Sequence, residues 1–272
     1  MGSGADKGRE IELTGGNTSR VTRIDDTVRR SAGRWTASVH ELLRYLESVG
    51  FDGVPRVAGF DEKGREILSF LHGEVPVDRP WPEFVWSDAA LRDVGRWLAR
   101  YHLVVLEFPP QPEPRWWSFE GNPQEGEIIC HNDFGPYNAV FREGRLAGVI
   151  DWDVAGPAKP LWDLAFCAWS WVPLHHPELV RALGGPGEES QAARLEILCE
   201  AYGYHDPAGL LSVVVDRVIS SRDGIRDGAE AGDPVMQRLV NGGHLTDMEQ
   251  TLEYLRARRA SIIDEIRHNS LL

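Results

Sequence analysis

The segment His131-Asn132-Asp133-Phe134-Gly135-Pro136-Tyr137-Asn138 sets a histidine, an aspartate and an asparagine at the spacing H-x-D-x-x-x-x-N. Thirteen residues further on stands Asp151, in Ile150-Asp151-Trp152-Asp153 at the end of an apolar run. These side chains suit phosphoryl transfer. That reaction asks little covalent help of a protein. It needs a carboxylate to orient or deprotonate the attacking hydroxyl, and oxygen ligands to hold magnesium on the phosphates. An aspartate and an asparagine five residues apart on a tight loop can serve both needs. A second aspartate at a strand end can close the metal site, because magnesium takes a few carboxylate and carbonyl oxygens together with phosphate.

Asp, Asn, Gly and Pro are also ordinary turn residues, and a capped turn would carry the same loop. The context speaks against a turn alone. An apolar strand leads into Asp151, and a helix containing Trp162-Asp163-Leu164-Ala165 comes after it.

The elements that must position this loop fall into two groups. Short β-prone runs at Ile11–Leu13, Arg20–Ile24, Thr27–Arg30, Val54–Ala58 and Glu66–Leu71 are separated by turn residues. One helix, Thr36 to Val49, stands among them, with Val39, Leu42, Leu43 and Leu46 on one face. Composition shifts at Gly73, and Pro76, Pro80 and Pro82 break regular structure. Asp88 to Leu106 is again helical. A loop rich in Pro and Trp and a short β region come next, and from Leu161 onward the pattern is almost wholly helical. The last helix, about Thr246 to His268, opens with Thr246-Asp247-Met248-Glu249, a capping-box pattern. The expected fold class is α+β: a small β-rich lobe, residues 1–72, joined to a mostly helical lobe, residues 73–272.

Composition narrows the function. The 272 residues carry 29 Lys and Arg against 42 Asp and Glu, a formal charge of −13. Such a chain lacks the basic surface that grips phosphate backbones, so nucleic acid is excluded as an expected partner. The three cysteines, Cys130, Cys167 and Cys199, lack C-x-x-C spacing, which argues against a disulfide scaffold or structural zinc and for a reducing, cytoplasmic setting. No apolar run is long enough to span a membrane, and Met1–Glu10 lacks the apolar stretch of a signal peptide.

At the loop and the residues around it, the sequence resembles the aminoglycoside phosphotransferase family, which shares the protein-kinase-like fold. The resemblance runs from Gly15-Gly16-Asn17 to Leu161-Trp162-Asp163-Leu164-Ala165-Phe166-Cys167 and thins toward the C-terminus. It implies ATP or GTP with Mg2+ as cofactors and a hydroxyl-bearing small molecule as acceptor. By the same resemblance Asp133 is the catalytic base, and Asn138 and Asp151 are the magnesium ligands. His131 braces the loop, and Asp163 anchors it from the following helix. Gly15, Gly16 and Asn17 form a hairpin over the phosphates. The nucleobase bonds backbone groups around Ser69 and Leu71.

The family also carries a basic residue on the third strand, and Val28-Arg29-Arg30 offers two. Arg29 is preferred, since it shares a strand face with Thr27. The family's helix glutamate that pairs with this cation has no clear counterpart. Glu41 is nearest and reads as a solvated charge, with Val39 and His40 as alternatives for the position. Trp162, Trp169 and Trp171 read as core, His102 as a packing residue and Cys130 as a small buried one.

Asp223, Asp227 and Glu230 stand at i, i+4 and i+7 and could share a helix face. Such a row beside a catalytic aspartate would attract a cationic, aminoglycoside-like acceptor, and antibiotic resistance would be the biological context. A solvated face with Arg222 and Arg226 in surface pairs is the alternative. The competing function class is a non-catalytic nucleotide-binding or immunity-type module on the same fold, and the joint presence of Asp133, Asn138 and Asp151 speaks for catalysis. No A-P-E segment or activation loop lies between Asp151 and Asp163, which argues against a kinase of protein substrates. Oligomeric state has no signal in the sequence.

Overall fold

The computed structural model describes residues 10–13 and 21–269. Its first part is a five-stranded antiparallel sheet in the order β1-β2-β3-β5-β4. The strands are β1 (Ile11–Leu13), β2 (Val21–Ile24), β3 (Thr27–Arg30), β4 (Val57–Phe60) and β5 (Glu66–Ser69). The β2–β3 hairpin turns on Asp25-Asp26, with Asp25 at φ 53°, the left-handed backbone that two-residue hairpin turns require. The β4–β5 turn is tied by Asp61, whose Oδ1 accepts hydrogen bonds from the Lys63 and Arg65 amides, both at 2.9 Å. Helix α1 (Thr36–Ser48) buries Val39, Leu42, Leu43 and Leu46. The expected strand over 54–58 begins later, at Val57. Pro55 has no N–H to give to a ladder.

The chain leaves β5 through a connection at residues 70–74 that is pinned to the second part of the molecule. Glu74 exchanges backbone hydrogen bonds of 2.9 and 2.8 Å with Phe141. Gly73 is required there, since a Cβ at that point would lie 2.4 Å from the Phe141 carbonyl oxygen. A second seam joins Val149 N–H to the Gly53 carbonyl at 2.8 Å, and a Cβ on Gly148 would meet that carbonyl at 2.6 Å.

The second part begins with α2 (Asp88–Val105), capped by Ser87, whose hydroxyl accepts from the Ala90 amide. Strands β6 (Ile128–Cys130) and β9 (Gly156–Ala158) pair with each other, as do β7 (Ala139–Arg142) and β8 (Arg145–Val149). The helices are α3 (Pro160–Trp171), α4 (Pro177–Ala182), α5 (Gln191–Tyr202), α6 (Pro207–Glu230), α7 (Pro234–Asn241) and α8 (His244–Asn269). Helix α2 packs on α5, α3 on α6, and α6 on α8. A ring cluster of Trp97, Tyr101, Phe134, Trp152 and Trp171 fills the core beneath the β6–β8 region. Helix α8 starts two residues before the expected capping box: Gly243, at φ 86°, stops α7 and its carbonyl accepts from the Asp247 amide, so Thr246 lies inside the first turn.

Candidate active site

The loop between β6 and β7 is built by hydrogen bonds from four directions. Asp163, in the first turn of α3 and fully buried, accepts from the His131 amide at Oδ2 and the Asn132 amide at Oδ1, both at 2.9 Å. His102 of α2 donates from Nε2 to the same Oδ2 at 3.1 Å, and its Nδ1 accepts from Tyr202 Oη at 2.7 Å. Burial pushes the Asp163 carboxyl up, but the hydrogen bonds from His102 and from the His131 amide outweigh it and hold the group below its usual range. His131 is fully buried; its Nδ1 accepts from the Asp133 amide and its Nε2 donates to the Ile150 carbonyl. Burial lowers its pKa, which fits a neutral brace.

From the fourth side Arg217 of α6 donates to the Asn132 carbonyl at 2.8 Å and lies over the Trp162 and Phe166 rings. These bonds hold Asn132 at φ 66°, a backbone state costly for a side-chain-bearing residue.

Asp133 sits at the loop's turn with both carboxylate oxygens engaged. Tyr137 Oη donates to Oδ1 at 2.6 Å, and Asn138 Nδ2 donates to Oδ2 at 2.9 Å. Burial in the cleft, with the Asp151 charge adding to it, pushes its pKa up to about 7. The amide nitrogen of Asn138 also donates to the Asp133 carbonyl, which leaves Oδ1 for a cation. The Ile150 N–H donates to the Asn138 carbonyl at 2.9 Å and so draws Asp151 to Asn138. Asp151 itself is at φ 60°. One amide oxygen and one carboxylate are hard donors of the kind a divalent ion such as magnesium takes.

The cation facing this pair is Arg30. The Arg29 expectation is corrected: Arg29 turns to the other face of β3 and donates to Thr27 Oγ1. Alternation along the strand holds, but the inward face is that of Val28 and Arg30. Arg30 is 6% exposed and meets three carboxylates. Its Nε donates to Glu66 Oε1 at 2.5 Å, its Nη1 to Asp151 Oδ1 at 2.8 Å, and its Nη2 stands 2.6 Å from Asp153 Oδ1 as a charge contact short of an aligned hydrogen bond. Burial opposes the guanidinium charge, and Asp153, Asp151 and Glu66 outweigh it, so its pKa rises further. Glu66 is held in turn by His40 of α1, Nε2 to Oε2 at 2.8 Å. The acid that meets Arg30 on the sheet is thus a strand glutamate with a helix histidine behind it. Glu41 pairs with Arg44 at the surface.

The structure does not bring together every expected residue. Gly15, Gly16 and Asn17 lie outside the described residues. The Ser69 amide donates to the Arg56 carbonyl and its hydroxyl accepts from the Arg56 amide, both at 2.8 Å, so Ser69 has no free N–H for a base. The Leu71 N–H has no partner among the described residues.

Asp223, Asp227 and Glu230 all belong to α6, but they stand about 80–140° around the helix from Arg217, the residue that meets the loop. Asp223 is neutralised by Arg222 and Arg226 at 2.7 and 3.2 Å. The surface-pair alternative describes this face.

Arg217, Glu66, Asp153 and Tyr137 are contributors that sequence reasoning misses; His102 reads there only as packing, and His40 only as an alternative partner for the strand cation. Cys130 lies within reach of His102 and Asp163, their ligand atoms within 4.8 Å of one another. Burial pushes its thiol well above the usual pKa, and it donates to the Ala158 carbonyl, so it stays a protonated core residue.

A β-rich lobe carrying a buried cation and a helical lobe carrying an Asp-Asn-Asp set make up a two-lobed α+β molecule of the protein-kinase-like fold. The model of the phosphotransferase enzyme family (APH) matches residues 120–196. The trifolitoxin immunity protein of Rhizobium leguminosarum bv. trifolii is 38% identical over 198 residues, 71% of this chain and 74% of that protein. The chain belongs to the phosphotransferase enzyme family.

Solved structures agree on the fold. The GDP complex of aminoglycoside 2'-phosphotransferase-IIIa superposes with a TM-score of 0.58 at 13% identity, covering 95% of this chain and 94% of that one. The gentamicin complex of APH(2")-IIa superposes with a TM-score of 0.55 at 17% identity, covering 92% and 93%.

Proposed function

We propose that the chain moves the γ-phosphate of ATP or GTP to a hydroxyl of a small molecule, with Mg2+ required. The observation that carries this reading is the linkage of Asp133, Asn138, Asp151 and Arg30 through a short run of hydrogen bonds. Asp133 aligns the acceptor hydroxyl and takes its proton. Asn138 Oδ1 and the Asp151 carboxylate would hold the divalent ion, which supplies charge neutralisation on the phosphates. Arg30, held by Glu66 with His40 behind it, sets a fixed positive charge beside Asp151 at the phosphate end of the site. The Leu71 N–H is the donor offered to the base. We place the lobe boundary between residues 72 and 73.

The nucleotides in solved relatives support the cofactor reading: one is a GDP complex and another a streptomycin–ATP–APH(2")-IIa ternary complex. Gentamicin and streptomycin in those structures support a small-molecule acceptor. No helix among the described residues is long and apolar enough to cross a membrane. We take the setting to be the cytoplasm.

A second reading is favoured by one observation, the name of the immunity relative. In that reading the chain protects against a toxin or antibiotic by binding alone. Thermal melting with ATP or GTP, with and without Mg2+, tests the two. A ligand that binds only the folded state raises the melting midpoint by mass action. The phosphotransferase reading expects a magnesium-dependent rise that Asn138→Ala and Asp151→Ala abolish. Absence of any such rise in the wild type moves the weight to the binding-only reading.

A further inference from the structure

The acceptor hydroxyl has to reach Asp133, and a hydroxyl of the chain itself already stands there. Tyr137 Oη donates to Asp133 Oδ1 at 2.6 Å. The other oxygen, Oδ2, is taken by the Asn138 amide, a buried group. Tyr137, by contrast, is 39% exposed, so of the two donors it is the one an arriving molecule meets first. Its place is made by Gly135: a Cβ on that residue would lie 2.7 and 2.8 Å from Cε1 and Cζ of the Tyr137 ring, so only glycine lets the ring fold back over the loop. Beyond the ring stands Trp81, with centroids 6.5 Å apart. An exposed aromatic side chain can change rotamer without moving the loop backbone.

We propose that Tyr137 is a positioning residue whose hydroxyl stands in for the acceptor on Asp133, keeps water off that carboxylate, and leaves only when an acceptor hydroxyl replaces it. The proposal rests on the phosphotransferase reading. It gives the chain a means of choosing sugar-like or other organic hydroxyls over water. The reaction it suppresses is hydrolysis. A water oxygen would bond to the γ-phosphorus as the bond from that phosphorus to the bridging oxygen breaks. One water proton would pass to Asp133 and on to solvent, and nucleoside diphosphate and inorganic phosphate would leave. A small organic acceptor supplies its own hydroxyl and displaces Tyr137; a water molecule has no other contact with the cleft walls to offset the loss of a short hydrogen bond.

The test needs no knowledge of the acceptor. Phosphate release from Mg-ATP and Mg-GTP is measured without acceptor for the wild type, Tyr137→Phe, Tyr137→Ala and the double variant Asp133→Asn/Tyr137→Phe. The dissociation constant of a fluorescent ATP or GTP analogue is measured alongside. The proposal expects release to rise about fivefold or more in both single variants, with nucleotide affinity within about twofold, and the gain to vanish in the double variant. A residue that merely braces the loop gives the opposite sign, slower release in both. Release equal to or below wild type in a variant that binds nucleotide normally overturns the proposal. Loss of the folded state in both single variants marks Tyr137 as a brace and overturns it too. Failure of the wild type to bind either Mg-nucleotide removes the phosphotransferase reading itself, and the affinity measurement separates that result from the others.

Discussion

Replacing Asp163 by asparagine keeps the shape of the side chain and removes its charge, and the consequence can be worked from its partners. The carboxylate accepts three hydrogen bonds, from the His131 amide, the Asn132 amide and His102 Nε2. Bonds to a charged acceptor contribute roughly 1.5–3 kcal/mol each. In the asparagine variant one oxygen still accepts, but its NH2 group opposes a backbone N–H or the imidazole. One bond is lost, a buried donor is left unpaired, and the others weaken to neutral strength. The group is fully buried, so water cannot repair the loss. The sum is about 3–5 kcal/mol, the scale found when one partner of a buried charged network is removed. For a chain of this size that is a fall of roughly 10 °C in the melting midpoint. Urea unfolding followed by circular dichroism measures it directly, with Asp223→Asn as the surface control expected within about 1 kcal/mol of wild type. A loss below about 1 kcal/mol for Asp163→Asn would refute the claim that this carboxylate holds the catalytic loop.

Other consequences are as direct. Arg30→Ala weakens Mg-nucleotide binding at least about tenfold, while Arg29→Ala stays within about twofold, a contrast that calorimetric titration reads; a phosphate contact by a charged donor is worth this much. Gly148→Ala forces a methyl against the Gly53 carbonyl and costs about 1–3 kcal/mol in urea unfolding. Stability falls in mild acid through His175, whose Nδ1 accepts from the Trp169 indole at 3.0 Å. Burial, with the neighbouring His176 and Arg79 charges, pushes its pKa from 6.5 down to about 3. The unfolded chain therefore takes up the proton first, and stability present above pH 6.5 is lost as pH drops toward 3. Between pH 7.5 and pH 5 this contributes a loss of about 2 kcal/mol, which His175→Gln should remove from the pH profile.

The patterns are legible in the sequence where the physics is local. The α1 stripe of Val39, Leu42, Leu43 and Leu46 comes from helical period, and the β2–β3 turn from Asp25-Asp26. The spacing from His131 to Asn138 is enough to place both side chains against Asp133. Partners distant in sequence are not legible in this way. Arg30 and Glu66 are 36 residues apart and become neighbours only because β3 and β5 pair in the register Arg30↔Glu66. Alternation divides a strand into two faces but does not say which looks inward, so the sequence favours Arg29 where the fold uses Arg30. A lone glutamate beside Ile67 and Leu68 on β5 is the available signal for a buried pair. His102 and Asp163, 61 residues apart, meet because α2 and α3 pack together. The α6 carboxylates show the same limit: their spacing is right for one face, but which groups meet that face is not legible, and Asp223 is found paired with Arg222 and Arg226.

The central claim is that Asp133 serves phosphoryl transfer to a hydroxyl, and nucleoside diphosphate release meets it most directly. Release is followed by a coupled assay with ATP and with GTP across aminoglycosides, macrolides, amino alcohols and sugars. The account predicts acceptor-dependent release for at least one compound. It also predicts a fall of about 10²–10⁴-fold in Asp133→Ala, the usual worth of a positioned base, with Mg-nucleotide affinity retained. Turnover of that compound by Asp133→Ala within about tenfold of wild type would contradict it.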